Sequence, residues 1–298
     1  MVYHIPALLK ESIDGLNIQP DGIYVDVTFG GGGHSKEILS RLKTGRLIAF
    51  DQDEDAGLNI PSDEKLLFLN QNFRFLRNNL RFNNIISIDG LIADLGVSFH
   101  QFDVPERGFT FRQDAPLDMR MNQTGNVTAA FLLETMDEPA LAEIFYRYGE
   151  LSDSRRIARE IVAKRTAGPL KTVNDLIEVV GKLAPFRQEH KYYAKLFQAL
   201  RIAVNHEIDY LQEMLEQALS VLKTGGRLVV ISYHSLEDRV VKNFVKTGNF
   251  EGEEKKDFFG NIETPFRLIN RKGTTPGDEE IAINNRARSA RLRIAEKI

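Results

Sequence analysis

The chain has 298 residues, 42% apolar and 27% charged, with a formal net charge of −3, proportions of an ordinary globular protein with one large or two moderate domains. It has no cysteine, which excludes a disulfide framework, a thiolate metal site and a cysteine nucleophile. A slightly acidic chain has no global attraction to a polyanion, so a nucleic-acid partner would have to be held by local basic surfaces. No apolar run reaches the roughly 18–20 residues of a membrane span. The first residues, Met1-Val2-Tyr3-His4-Ile5-Pro6, lack the basic and apolar segments of a secretion signal, so a cytoplasmic location is expected.

In chain order, the first hundred residues alternate short β-like runs with helical patterns, which predicts a parallel sheet with crossover helices. Strands are expected near residues 23–27, 46–50, 65–69 and 90–95. After the first, Ile38, Leu39 and Leu42 share one helical face, and Lys43-Thr44-Gly45 supplies a cation and a terminating glycine. From about residue 103 to 200 helical signals replace the strand pattern, so an inserted helical domain is expected at 103–200, with 1–102 and 201–298 forming one discontinuous domain. Within the insert, Arg155, Arg156, Arg159, Lys164 and Arg165 form a basic helix. Thr172 and Asp175 have the spacing of a capping box ahead of the apolar face Leu176, Ile177, Val180 and Leu183. Residues 208–222 read as an amphipathic helix and 227–232 as a fifth strand. Apolar and basic residues alternate through 290–295, which predicts a strand burying Leu292 and Ile294 with Arg291 and Arg293 directed outward. With Arg286 and Arg288, these make a second basic cluster.

The segment Asp26-Val27-Thr28-Phe29-Gly30-Gly31-Gly32-Gly33-His34-Ser35 joins the first strand to the first helix. Consecutive glycines there let a ligand approach backbone beside a helix N-terminus, whose free N–H groups favour negative charge. Such a turn alone does not separate nicotinamide, flavin and adenosylmethionine enzymes. Asp51 ends the second strand, 21 residues beyond Gly30, where an acid can accept hydrogen bonds from both hydroxyls of an adenosine ribose. Phe73 follows the third strand, where a ring could stack on adenine or simply join the core. Asp94 closes the fourth strand. Ligands of open α/β sheets sit beyond the carboxyl ends of the strands, so acids ending strands one, two and four are expected to face one crevice. A nicotinamide enzyme does not need the acid at Asp94, and the G-x-G-x-x-G fingerprint fails because Lys36 follows at its last position.

These residues resemble the MraW (RsmH) methyltransferases. The matching segments include His4-Ile5-Pro6-Ala7-Leu8-Leu9-Lys10-Glu11, Thr28 to Ser35, Asp94 to Ser98, Glu106-Arg107-Gly108-Phe109, Pro116-Leu117-Asp118-Met119-Arg120-Met121, Phe197-Gln198-Ala199-Leu200-Arg201-Ile202, Ser232-Tyr233-His234-Ser235-Leu236-Glu237-Asp238-Arg239 and Arg286-Ala287-Arg288-Ser289. The resemblance implies an α/β fold, a class I (Rossmann-like) methyltransferase sheet interrupted by a helical insert. It also implies that S-adenosyl-L-methionine methylates N4 of a cytidine in the decoding region of 16S rRNA, in the small ribosomal subunit. Its cofactor contacts carry over to Gly32, Gly33, His34, Asp51, Phe73, Asp94 and Gln101.

The N4 lone pair of cytosine is delocalised into its ring, so catalysis must align the amine with the methyl group and accept hydrogen bonds from its N–H groups. The resemblance hands over no single base. Asp94 is one candidate, with holding the cofactor as its other reading; His234 is a second, able to orient the base or relay a proton. Asp118 and Arg120 are candidates for the substrate cleft, and Arg288 and Arg291 for phosphate contacts. The insert is the expected RNA-recognition domain, and the target base is expected to leave its stack. The six histidines show no metal-ligand spacing with acids, so no tightly held metal is inferred. A nicotinamide-dependent oxidoreductase and a non-catalytic RNA-binding assembly factor are the alternatives, and no oligomeric state follows from the sequence.

Overall fold

The computed structural model describes residues 6–260 and 263–298. Met1 to Ile5, which carry the expectation about a leader and part of the N-terminal motif, lie outside the described residues. The chain forms two compact units, Met1–Gly96 with Ile208–Ile298, and Val97–Glu207.

In the first unit, apolar runs of four to seven residues form β1 (Ile23–Asp26), β2 (Arg46–Phe50), β3 (Leu66–Leu69) and β4 (Ile88–Asp94). They are joined later in the chain by β5 (Leu222–Ser232), β6 (Phe266–Leu268) and β7 (Arg291–Lys297). The sheet order is β3-β2-β1-β4-β5-β7-β6. Strands β1 to β5 pair in parallel, and β7 runs antiparallel to both β5 and β6. This is the class I methyltransferase order. Its chain reversal lies between β1 and β4, the place where ligands enter open α/β sheets.

Alternate side chains along the strands fill two cores, as a period of two requires. Val25, Ile48, Leu91 and Val230 pack with the helices Leu76–Phe82, Glu207–Val221 and Ser235–Thr247. Tyr24, Leu47, Ile92 and Val229 pack with the helices Leu9–Leu16 and Gly33–Arg41 on the other side. Because the helices Leu9–Leu16 and Ser235–Thr247 both pack on β7, both of its faces are covered, and this corrects one expectation. Arg291 is exposed, but Arg293 is only 7% exposed, and its guanidinium runs into the layer of the helix Ser235–Thr247 to bind Asp238.

The second unit is helical and has its own core, built from residues such as Phe109, Leu133, Phe145, Ile157, Leu176 and Leu196. The capping box of Thr172 and Asp175 opens the helix Val173–Val180. Among the described residues, no helix is long and apolar enough to cross a membrane.

Candidate active site

Strand β1 ends on Asp26, which is buried and turns the chain back on itself. Its Oδ1 accepts from the Thr28 N–H at 3.0 Å, and its Oδ2 accepts from the Ser35 hydroxyl at 2.7 Å. Burial pushes this carboxyl up from 3.8 to about 6. The glycine turn that follows divides its labour. Gly30 has φ +50 and Gly32 φ +74, backbone conformations that side chains disfavour. A Cβ on Gly32 would stand 2.8 Å from the Phe29 ring and one on Gly33 2.2 Å from Pro6, whereas one on Gly30 would meet nothing within 4 Å. Gly32 and Gly33 are therefore bare because the protein packs against them, and Gly30 is the position with open space.

Asp51, just past β2, is tied to the same turn: its Oδ2 accepts from the Gly30 N–H at 2.7 Å and its Oδ1 from the Asp53 N–H at 2.9 Å. Burial pushes it to about 6, against the pull of those hydrogen bonds. Asn59 closes the turn from the other side by donating to the Gly30 carbonyl at 3.1 Å. Phe73 opens the short 3-10 turn Phe73–Phe75, capped by Asn72. The amide of Asn72 also donates to Gln52 at 2.6 Å, which joins the exit of β3 to the segment after Asp51. Phe73 itself is half-buried against the core.

Asp94 completes the set at the end of β4. Its N–H donates to the Thr28 hydroxyl at 2.6 Å, and its Oδ1 accepts from the Tyr233 hydroxyl at 2.8 Å. Its Oδ2 lies 3.8 Å from His34 Nδ1, beyond hydrogen-bond reach. Burial pushes Asp94 up to about 7, with Tyr233 pulling the other way and the charges of Asp26 and Glu237 adding to the rise. His34 is buried and pushed down to about 4, opposed by a hydrogen bond with the Ala7 backbone, so it is neutral at physiological pH. Among the described residues its Nε2 is buried without a hydrogen-bond partner. Burial and the neighbouring Asp94 hold the Tyr233 phenol well above its ordinary value, so it stays protonated and donates to Asp94. Thus Asp26, Asp51 and Asp94 are linked through one turn. Thr28 and Tyr233, which sequence reasoning did not assign a role, make two of the links; the signal was a hydroxyl within each quoted motif.

Of the remaining candidates, His234, Gln101, Asp118 and Arg120 have structural partners. His234 caps the helix Ser235–Thr247: its Nδ1 accepts from the Glu237 N–H at 3.4 Å, and Glu237 Oε2 accepts from the N–H groups of Tyr233 and His234 at 2.9 and 3.4 Å. That box fixes the backbone of Tyr233, while the hydrogen bonds of His234 go to Glu237. In the second unit, Gln101 is buried and shares a capping box with Ser98, whose N–H it accepts at 3.0 Å. Asp118 and Arg120 pair with each other through two bonds of 2.8 and 2.6 Å, and Arg120 also donates to the Gln123 and Gly125 carbonyls. In the basic helix Ser154–Arg165, Arg165 donates to the carbonyls of Leu133 and Met136. In the first unit, Arg288 and Arg291 are exposed.

The profile of the MraW methylase family matches residues 1–298. The chain is 57% identical over 296 residues to ribosomal RNA small subunit methyltransferase H of Bacteroides fragilis, covering 99% of this chain and 97% of that protein. It is 57% identical over 298 residues to the protein of the same name in Bacteroides thetaiotaomicron, covering 100% and 98%. It is 56% identical over 299 residues to that of Flavobacterium johnsoniae, covering 100% and 99%. With a family match along its whole length and relatives of this similarity, the chain belongs to the MraW methylase family and is a methyltransferase.

Proposed function

We propose that this protein uses S-adenosyl-L-methionine to methylate N4 of a specific cytidine in the decoding region of 16S rRNA, acting in the cytoplasm on the small ribosomal subunit. The relatives named above are ribosomal RNA small subunit methyltransferases, and their name supports the choice of substrate. The observation that carries the reading is the gathering of Asp26, Asp51 and Asp94 around one glycine turn, with one oxygen of Asp94 left open.

The residues fit the cofactor. Asp51 spends one lone pair of each oxygen on the turn, which leaves acceptor capacity for two ribose hydroxyls. Gly30 has open space where a Cβ would stand, and His34 brings a buried nitrogen without a hydrogen-bond partner among the described residues. Three carboxylates that burial drives toward protonation would regain their charge beside a cation. Gly32, Gly33 and His34 would lie along the methionine end and Phe73 against adenine, and Gln101 is a cofactor contact that the family resemblance implies. Bound there, S-adenosyl-L-methionine supplies a methyl group activated by its positive sulfur.

Asp94 Oδ2 is the acceptor for the amine: it takes a hydrogen bond from N4 and receives the proton that the nitrogen loses on methylation. His234 holds the backbone beside it through the helix cap. Arg288 and Arg291 hold phosphates from the outside, and Asp118, Arg120 and the second unit contribute to RNA recognition. The target base leaves its stack to reach the methyl group, a cost of a few kcal/mol that a loop or irregular element reduces.

The test is transfer of a labelled methyl group to small ribosomal subunits, with mass spectrometry of the nucleosides. One N4-methylcytidine per subunit, lost with Asp94→Asn, is expected. A product methylated on a ring carbon, or no transfer to any cytidine, overturns the proposal, and the latter would favour an RNA-binding assembly factor.

A further inference from the structure

Asp94 and Tyr233 come from separate strand ends, yet they form one hydrogen-bonded pair between residues 139 positions apart. The backbones of both members are held. The Asp94 backbone is pinned by Thr28 at 2.6 Å, and the Tyr233 backbone is pinned by Glu237 at 2.9 Å. The phenol therefore meets Oδ1, and among the described residues Oδ2 is the oxygen left with free acceptor capacity, since His34 stands 3.8 Å from it.

We propose that Tyr233 is a positioning residue for the methyl transfer: by donating to Oδ1 it favours the charged form of the Asp94 carboxylate and leaves Oδ2 for the incoming amine. This rests on the reading of Asp94 as the proton acceptor. Other groups surrounding the pair oppose ionisation or do little for it. Asp26 on β1 and Glu237 on the helix Ser235–Thr247 place further negative charge near Asp94. Glu280 on the helix Asp278–Ile283 adds negative charge near Tyr233, and His34 on the helix Gly33–Arg41 is neutral. In the cofactor-free protein the phenol is the hydrogen bond that favours the charged form against these acids and against burial. Tyr233 cannot take the proton itself, because the same surroundings hold its phenol protonated.

The phenol hydroxyl can be removed with little change of shape. Single-turnover methyl transfer to small ribosomal subunits is measured with the full chain, Tyr233→Phe and Asp94→Asn from about pH 5 to pH 9. For Tyr233→Phe the acid limb should move up by about one pH unit while the alkaline plateau stays within about threefold of the parent. Thermal unfolding and S-adenosyl-L-methionine affinity on the plateau should match the parent. A limb that superimposes on the parent's, or a plateau reduced as far as in Asp94→Asn, overturns the role of Tyr233 and leaves the acceptor reading standing. Full activity of Asp94→Asn overturns the acceptor reading itself, and with it this proposal.

Discussion

Arg293 and Asp238 form a two-pronged pair in which Nε lies 2.7 Å from Oδ1 and Nη2 lies 2.9 Å from Oδ2. The two side chains are 8% and 21% exposed, so the pair joins β7 to the helix Ser235–Thr247 largely out of water. Removing Arg293 leaves the half-buried Asp238 carboxylate without its partner. Arg293→Ala should destabilise the protein by about 3 kcal/mol, read by chemical denaturation, and should leave the salt dependence of RNA binding unchanged.

Arg288 and Arg291 are exposed cations on the same segment and should behave in the opposite way. Their replacement by Ala should barely alter unfolding, but should weaken binding to ribosomal RNA and flatten the slope of log K against log salt by about one for each phosphate no longer neutralised. An unchanged slope would remove them from the interface.

The three acids of the site make a pH prediction whose sign can be worked out. Asp26, Asp51 and Asp94 are raised from 3.8 to about 6, 6 and 7, so between these values the folded chain holds more protons than the unfolded one. Stability then falls as pH rises through that window. His34, lowered from 6.5 to about 4, acts in the opposite sense below its unfolded value, which leaves the interval from about pH 6.5 to 7.5 to Asp94. The cofactor-free protein should therefore melt at a higher temperature at about pH 6.5 than at about pH 7.5. Asp94→Asn should flatten this dependence and raise stability at about pH 7.5 by on the order of 1 kcal/mol. Equal melting temperatures at both pH values in the parent protein would contradict the assignment.

The glycines of the turn should separate stability from binding. Gly32→Ala meets both a positive φ and the Phe29 ring, and should cost about 2–3 kcal/mol of stability. Gly30→Ala meets only the backbone penalty, about 1 kcal/mol, yet should weaken S-adenosyl-L-methionine binding tenfold or more in calorimetric titration because its methyl group enters the proposed site.

Local physics made much of this legible in the sequence. Strands β1 to β5 were expected from short apolar runs, and the structure gives β4 and β5 longer bounds at Ile88–Asp94 and Leu222–Ser232. The capping box of Thr172 and Asp175 could be read from spacing alone. Strand β6 could not: Phe266–Leu268 is three residues long, too short to show a period, and forms because β7 offers it an edge. The burial of Arg293 was hidden for a related reason, since alternation tells which side chains share a face but not whether the second face is covered. Gln101 and Ser98 have the spacing of a helix cap, a bond that no functional motif announces. The contact of Tyr233 with Asp94 depends on the meeting of β4 and β5, a long-range fact that neither segment contains.

That meeting has a consequence for how the protein reaches its native state. Strands β4 and β5 are neighbours in the sheet, yet the whole of Val97–Glu207 intervenes along the chain. Closing so long a loop is entropically costly and slows folding when the intervening chain is a random coil. The intervening unit has a core of its own, so its early collapse would shorten the effective tether before the sheet zips together. Lesions confined to that helical unit should then appear as slow maturation of the methyl-transfer apparatus, even where every residue around the glycine turn is intact.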